Sequence, residues 1–310
     1  MAALTLLEAE KLNPGTVFRQ GIIETIVYNA PLLQAFPFLN IPGNAYHYVQ
    51  DGSLPSVGFR GVNGTYTASA GVVNQATESL KIFGGTIEVD RALVAMNGES
   101  IRSQQINMKL RSSALQFVKK VIKGSEITSN VEFDGLQSRI TSAQTIHNGA
   151  VANGTPLSVD KLDEAIDLCL RPTHLLMNKT MRRRLSKAAK STSIAGTINY
   201  TLDMFGQQIA TYNGLPIIEI EKDETETEIL GFTEACNGGG TDTGTSIYVV
   251  SFGDSAVTGI RNGNIIVEDA GLIASSTVYT TLVEQYVGMV ILNGRAAVRL
   301  DSISDAAVTA

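Results

Sequence analysis

The stretch Ser100-Ile101-Arg102-Ser103-Gln104-Gln105-Ile106-Asn107-Met108-Lys109-Leu110-Arg111-Ser112-Ser113-Ala114-Leu115-Gln116-Phe117-Val118-Lys119-Lys120-Val121-Ile122-Lys123, followed by Gly124, decides how this chain is read. Ile106, Leu110, Ala114, Phe117, Val118 and Val121 recur at three- and four-residue steps, which puts them on one face of a helix. Lys119, Lys120 and Lys123 gather in the last turn, where the helix dipole favours cations. Gly124 stands where a left-handed cap is wanted. At about 1.5 Å per residue the helix is about 35 Å long.

Upstream, residues 85–95 read as a strand leading into a turn. Between Asn44 and about Gly85 the pattern is extended and punctuated by glycine. Tyr46-His47-Tyr48-Val49 and Leu80-Lys81-Ile82-Phe83 alternate like strands, and Gly61-Val62-Asn63-Gly64 between them is a turn signal. From Gly52 to Thr77 the only charged residue is Arg60. A long hairpin of this kind has no core of its own and is marginal in water. Its low charge therefore points to docking on another surface. The first 43 residues carry short apolar clusters split by Pro14, Pro31, Pro37 and Pro42. Helical turns are expected in 4–12 and 19–29, in an arm that finds its hydrophobic partners elsewhere.

Downstream, a polar stretch (125–155) precedes a second helix from Ser158 to about Leu170, with Ser158 as N-cap and Asp160 in its first turn. His174-Leu175-Leu176-Met177 reads as a short buried strand, and Asn178 caps a helix from Lys179 to about Lys190. Residues 207–218 form a hairpin about Asn213-Gly214. An acidic run follows at Glu219, Glu221, Asp223, Glu224, Glu226 and Glu228, then a glycine-threonine loop from Cys236 to Ser246. Residues 246–303 are mainly strands.

Composition narrows the function classes. The 310 residues are 44 % apolar but only 17 % charged, with 29 glycines and no tryptophan. An average soluble domain is about 25 % charged, so this chain suits a protein that covers much of its surface with copies of itself. A net charge of −6 and a pI of 5.2 speak against a protein held to nucleic acid by bulk electrostatics. Cys169 and Cys236 stand alone, without metal-ligand spacing, and Cys169 is expected as a buried free thiol. No signal peptide is evident, so a reducing compartment is expected. No apolar run approaches the roughly 18–20 residues of a membrane span.

Catalytic patterns fail on their own chemistry. Phe252-Gly253-Asp254-Ser255 looks like the nucleophile block of the Gly-Asp-Ser esterases, which need a histidine base for the serine. There the block lies early and the histidine late. Here His47, His147 and His174 all precede Ser255, so a strand-end turn is the better reading. The loop 237–246 lacks the Gly-Lys-Ser/Thr ending of a phosphate-binding P-loop. The histidines have no partner at ligand spacing. No enzyme, cofactor or metal site is expected.

In order and spacing these elements resemble the tailed-bacteriophage major capsid proteins of the Hong Kong 97 type. Lys81–Leu136 looks like the strand, spine helix and closing Phe133-Asp134-Gly135-Leu136 turn. Asp160–Leu185 looks like the helix, buried strand and next helix, and Tyr212–Ile218 like the small-residue-Pro hairpin of the axial domain. Ser246–Asp254 and Tyr279–Leu300 look like the returning strands. The resemblance implies an α+β, Hong Kong 97-like capsid fold. Its parts would be an N-terminal arm (1–43), an extended β-hairpin loop (44–86) and a peripheral domain (87–157) with its spine helix at 100–123. An axial α/β domain (158–254), strands returning to the peripheral domain (255–290) and a C-terminal axial segment (291–310) would complete it.

The function so implied is a shell subunit that forms hexamers and pentamers around double-stranded DNA in a virion assembled in the host cytoplasm. A portal protein and a scaffolding protein would be further partners. Some relatives carry a scaffold segment of about a hundred residues before the arm. Here the arm begins almost at Met1, so scaffolding is expected to be separate or removed beforehand. Some relatives weld their shells through a lysine on the extended loop. No lysine occurs between Lys11 and Lys81, so a shell without covalent crosslinks is expected. Arg60 is a candidate for meeting the acids Glu219, Glu221 and Glu224 of a neighbour, against the alternative of a solvated loop arginine. Arg102, Lys109 and Arg111, on the polar side of the spine helix, are candidates for non-specific phosphate contacts. Two rival readings remain: an encapsulin-like shell enclosing cargo enzymes, and a hydrolase using Ser255.

Overall fold

The computed structural model describes residues 30–98, 100–190, 198–202, 208–240, 243–272 and 277–309. In chain order the elements are α1 (Leu32–Ala35), β1 (Phe38–Asn40), β2 (Ala45–Ser53), β3 (Val72–Ser79), β4 (Lys81–Asp90), α2 (Arg91–Asn97) and α3 (Ser100–Lys123). Next come α4 (Leu136–Arg139), β5 (Thr145–His147), α5 (Val159–Leu168), β6 (His174–Asn178), α6 (Lys179–Ala188), β7 (Ile198–Leu202), β8 (Gln208–Tyr212) and β9 (Leu215–Ile220). The chain ends with β10 (Thr245–Val250), β11 (Val257–Leu272), β12 (Val278–Ile291) and β13 (Ala297–Ile303).

Three sheets organise these strands. A four-stranded sheet has the order β1-β11-β12-β4, a seven-stranded sheet the order β5-β13-β10-β6-β9-β8-β7, and β2-β3 is a separate ribbon. The expected spine helix is α3, and its buried residues are the expected six plus Ile122. They join Leu32, Leu33, Phe36 and Phe38, Ile87 and Val89 of β4, and residues of β11 and β12 in the main core. Phe36 stacks edge-on to Phe38 and Phe252, at 5.2 and 5.6 Å between ring centres.

The seven-stranded sheet separates that core from a second one, because side chains alternate along a strand. Leu176, Tyr248 and Val250 face the spine-helix core. Leu175, Met177, Ile247 and Val249 face the other side, where Leu162 and Ala165 of α5 and Met181 and Leu185 of α6 cover them.

Several expectations need correcting. The helical turns at 4–12 and 19–29 lie outside the described residues. Residues 30–41 of the arm find their partners within this chain: Leu32, Leu33 and Phe36 are buried, and β1 pairs in parallel with β11. Leu80–Phe83 is not the return strand of the hairpin. That strand is β3, while β4 pairs with β12, so the expected boundary at residue 86 falls inside β4. After Asp90 a short helix forms instead of a turn, because the Asp90 carboxylate accepts from the Ala92 amide at 2.7 Å. Within 125–155, β5 pairs with β13 and belongs to the seven-stranded sheet.

Gly124 does not adopt a left-handed conformation. Glycine is required there by close approach, since a Cβ would lie 2.4 Å from the Phe133 carbonyl oxygen. At Asn213-Gly214 both φ angles are positive (48° and 83°), as the tight hairpin demands. Ser158 holds the N-cap position of α5 without a side-chain cap, and its amide donates to Asn148 Oδ1 at 3.0 Å. Asn178 does cap α6. Its Oδ1 accepts from the Met181 amide and its Nδ2 donates to the Leu230 carbonyl, both at 2.7 Å. Asn178→Ala is expected to cost about 1–2 kcal/mol, read as a lower urea midpoint with unchanged slope. An unshifted midpoint would show that the cap carries no stability.

Candidate functional site

Every residue from Gly52 to Gln75 is exposed. The ladder between β2 and β3 ends at Ser53 and Val72, so residues 54–71 form the bare tip of the ribbon. Val57 and Val62 are each 96 % exposed and Phe59 is fully so. Inside the tip, the Gly64 amide donates to the Gly61 carbonyl at 3.0 Å and Ser69 Oγ to the Ser56 carbonyl at 2.9 Å. Arg60 donates to the Gly64 carbonyl at 3.2 Å and lies over the Tyr66 ring at 5.2 Å.

The root of the ribbon is as tightly held as the tip is free. Tyr48 packs with Ile41, Ile260 and Val290 in a small core of its own. Gln50 Nε2 donates to the Ile291 carbonyl at 2.8 Å. Arg139 grips Glu78 with both terminal nitrogens, and Lys81 pairs with Glu126 at 2.8 Å. A bidentate arginine–carboxylate pair fixes direction as well as distance. The ribbon is thus aimed by its base and presents a nearly uncharged, apolar tip to whatever lies beyond this chain.

Part of the acidic run is engaged by the spine helix of its own chain. Asp223 pairs with Lys119 at 2.8 Å, Gln116 donates to Glu224, and Lys123 meets Glu234 at 3.1 Å. The last two turns of the spine helix are therefore clasped by the segment after β9. Glu234 also accepts from Arg299 at 3.0 Å and from Ser246, which ties the spine helix to β10 and β13. The clustered lysines gave a sequence signal for this clasp. Glu234, Glu78 and Arg139 gave none, because their partners lie far along the chain.

Burial alone would raise the Asp223 carboxyl. The Lys119 ammonium, with Thr225 and Thr227 donating, outweighs it and holds the group well below the usual carboxylate range. A depressed folded pKa stabilises fully above the unfolded value of about 3.9, and the gain is lost as pH falls below it. Stability of the wild-type chain is therefore expected to fall more steeply below about pH 4 than that of Asp223→Asn. Urea midpoints measured from pH 6 to 2 test this, and parallel curves would remove the clasp as an acid-sensitive joint.

The other candidates divide as follows. Glu219 pairs with Arg182 at 3.0 Å and Glu221 with Lys179 at 3.3 Å, so both already have partners within the chain, as Glu224 does. Arg102 pairs with Asp269 at 2.7 Å and lies 4.8 Å over the Tyr279 ring. Lys109 runs over Gly85. Arg111 is exposed and lines a cleft of about 310 Å³ with Glu219 and Glu221. The structure thus brings one basic and two acidic candidates together and leaves Arg60 apart from them on the ribbon.

The histidines are engaged elsewhere than at Ser255. His47 bonds Thr77 and His147 bonds Asp301, each at 2.7 Å, and His174 bonds Thr173 at 2.9 Å. Burial pushes the His174 imidazole down to about 4 and the Cys169 thiol up to about 11. Both cysteines are free and buried. Among the described residues no group of three metal-ligating side chains comes together, and no helix is long and apolar enough to cross a membrane.

No protein-family model and no curated protein matches the sequence. The fold does have relatives among solved structures. The holo-SrpI encapsulin complex from Synechococcus elongatus PCC 7942 superposes with a TM-score of 0.67 at 17 % identity, over 99 % of both chains. The capsid of a native GTA particle gives 0.64 at 13 % identity, over 89 % of this chain and 91 % of that one. A Mycobacterium phage Bobi chain gives 0.61 at 15 % identity, over 87 % and 89 %. The architecture is the Hong Kong 97-type fold found in phage capsids and encapsulins.

Proposed function

We propose, from the Hong Kong 97-type fold that this chain carries, that it is a non-enzymatic shell subunit assembling through non-covalent contacts between copies. The observation that carries this reading is the ribbon from Gly52 to Gln75, exposed throughout and holding one charge. Surface of that kind is rare on a monomer and ordinary on an interface. A held root adds to the argument, because a pre-aimed element loses less freedom on docking. In closed icosahedral form the copies would be grouped as hexamers and pentamers. No lysine lies on the tip to supply a crosslinking amine.

For the contents, the first reading is a phage head around double-stranded DNA, with scaffolding and portal proteins as partners. Arg111, exposed on one flank of α3, would then be the basic candidate best placed to meet phosphates, since Lys109 lies against β4 on another flank. The second reading is an encapsulin-type shell around protein cargo, favoured by the full-length superposition on the encapsulin chain. Electron microscopy and light scattering of the purified full chain test the shell itself, and are expected to show closed particles, tubes or rings. On a denaturing gel those particles should run as single chains. Nucleic acid or protein extracted from particles made in a native host separates the two readings. A monomer that persists with candidate scaffold added would overturn the proposal.

A further inference from the structure

We propose that α5 and α6 carry the two halves of a self-complementary contact, the acidic face of α5 on one copy meeting the basic face of α6 on another. This rests on the shell reading and names a second contact, separate from the ribbon. Both helices cover the same side of the seven-stranded sheet. Their buried residues, Leu162 and Ala165 on α5 and Met181 and Leu185 on α6, fix which faces turn outward. Opposite those residues α5 exposes Asp160, Glu164 and Asp167, and α6 with its following turn exposes Arg183, Lys187 and Lys190. Each stripe has the spacing i, i+4, i+7, so the two match charge for charge along a helix face.

The flanking polar residues of the same helices have partners within the chain. Arg182 pairs with Glu219, Lys179 with Glu221 and Arg184 with Asp305. Asp163 accepts from the Tyr212 hydroxyl at 2.7 Å and from Asn213 at 3.1 Å. The outward stripes differ from them. Among the described residues Glu164 alone of the six has an ion-pair partner, Lys161 at 2.6 Å in a largely exposed pair, and such pairs contribute little. Arg295 is a further cation near this face, donating to the Leu168 carbonyl at the end of α5.

The occupant follows from the two signs. A polyanion would suit the basic stripe and be repelled by the acidic stripe on the same side of the sheet. A second copy of this chain suits both. Such pairs add little raw affinity when rim-exposed, but they steer encounters and penalise wrong registers, and like charges placed opposite each other are strongly unfavourable.

The test is a charge exchange followed in the full chain at low salt. One variant carries Asp160→Lys, Glu164→Lys and Asp167→Lys, and a second carries Arg183→Glu, Lys187→Glu and Lys190→Glu. Each is expected to fold, since all six residues are exposed, with a melting temperature lowered by only a few degrees where Asp160→Lys or Lys187→Glu opposes a helix dipole. Each is nevertheless expected to assemble at least about tenfold more slowly by light scattering. A third chain with all six changes restores opposite signs and is expected to recover assembly. Wild-type rates for the two triple variants would overturn the pairing. So would a sixfold variant as slow as the triples. A wild-type chain that never assembles would instead overturn the shell reading, and this contact with it.

Discussion

Replacing Val57, Phe59 and Val62 with aspartate is expected to leave a folded chain that no longer assembles. All three side chains are almost wholly exposed, so their loss removes no contact from the folded monomer. Surface changes of this kind usually stay within about 0.5 kcal/mol, and the melting temperature should barely move. At an interface the same residues would bury about 1.5–3 kcal/mol each, and aspartate adds the cost of desolvating a charge without a partner. Every subunit repeats that loss. The chain should sediment as a monomer under conditions where the wild type forms particles. Unimpaired particles would mean that the ribbon tip is not the contact, whatever the fold.

Glu234→Ala is expected to be the most destabilising single change at the joint between the spine helix and the seven-stranded sheet. Its carboxylate is 6 % exposed and serves Lys123, Arg299 and Ser246 together. Removal leaves the guanidinium of Arg299, itself 16 % exposed, without its main partner. Stranding one member of a buried pair costs about 3–5 kcal/mol. The double variant Glu234→Leu with Arg299→Met should recover part of that loss, because neither member of the pair is then left buried without the other. Denaturant midpoints of the three chains check both statements, and a loss below about 1 kcal/mol for Glu234→Ala would show the network to be dispensable.

The two changes also mark what the sequence made legible. Local periodicity suffices for the buried face of α3, whose six spaced residues are all buried. The hairpin at Asn213-Gly214 and the cap at Asn178 were equally local. What escaped was long-range pairing. Leu80–Phe83 alternates like a hairpin strand, but nothing nearby says that its partner is β12, far along the chain. Gly124 looks like a residue chosen for dihedral freedom, while its reason is the Phe133 carbonyl across a turn. At the candidate site the exposed, uncharged ribbon was visible in composition. The acidic run does not reveal its partners, because an acid that clasps the chain's own helix has the same letters as one that awaits a neighbour.

The order in which the four-stranded sheet is completed bears on when a subunit is ready during its synthesis. β1 and β4 come from the first third of the chain, but their partners β11 and β12 end only at Ile291. The Gln50 bond that helps to aim the ribbon also reaches to Ile291. At about 5–20 residues per second, the ribosome delivers those strands on the order of ten seconds after the spine helix. During that interval the apolar face of α3 has no sheet to cover it, so a nascent chain is at its most vulnerable to aggregation and to chaperone capture. The same delay is a timing control. A chain still attached to the ribosome cannot orient its ribbon, so whatever the ribbon docks on can be engaged only once translation is nearly finished.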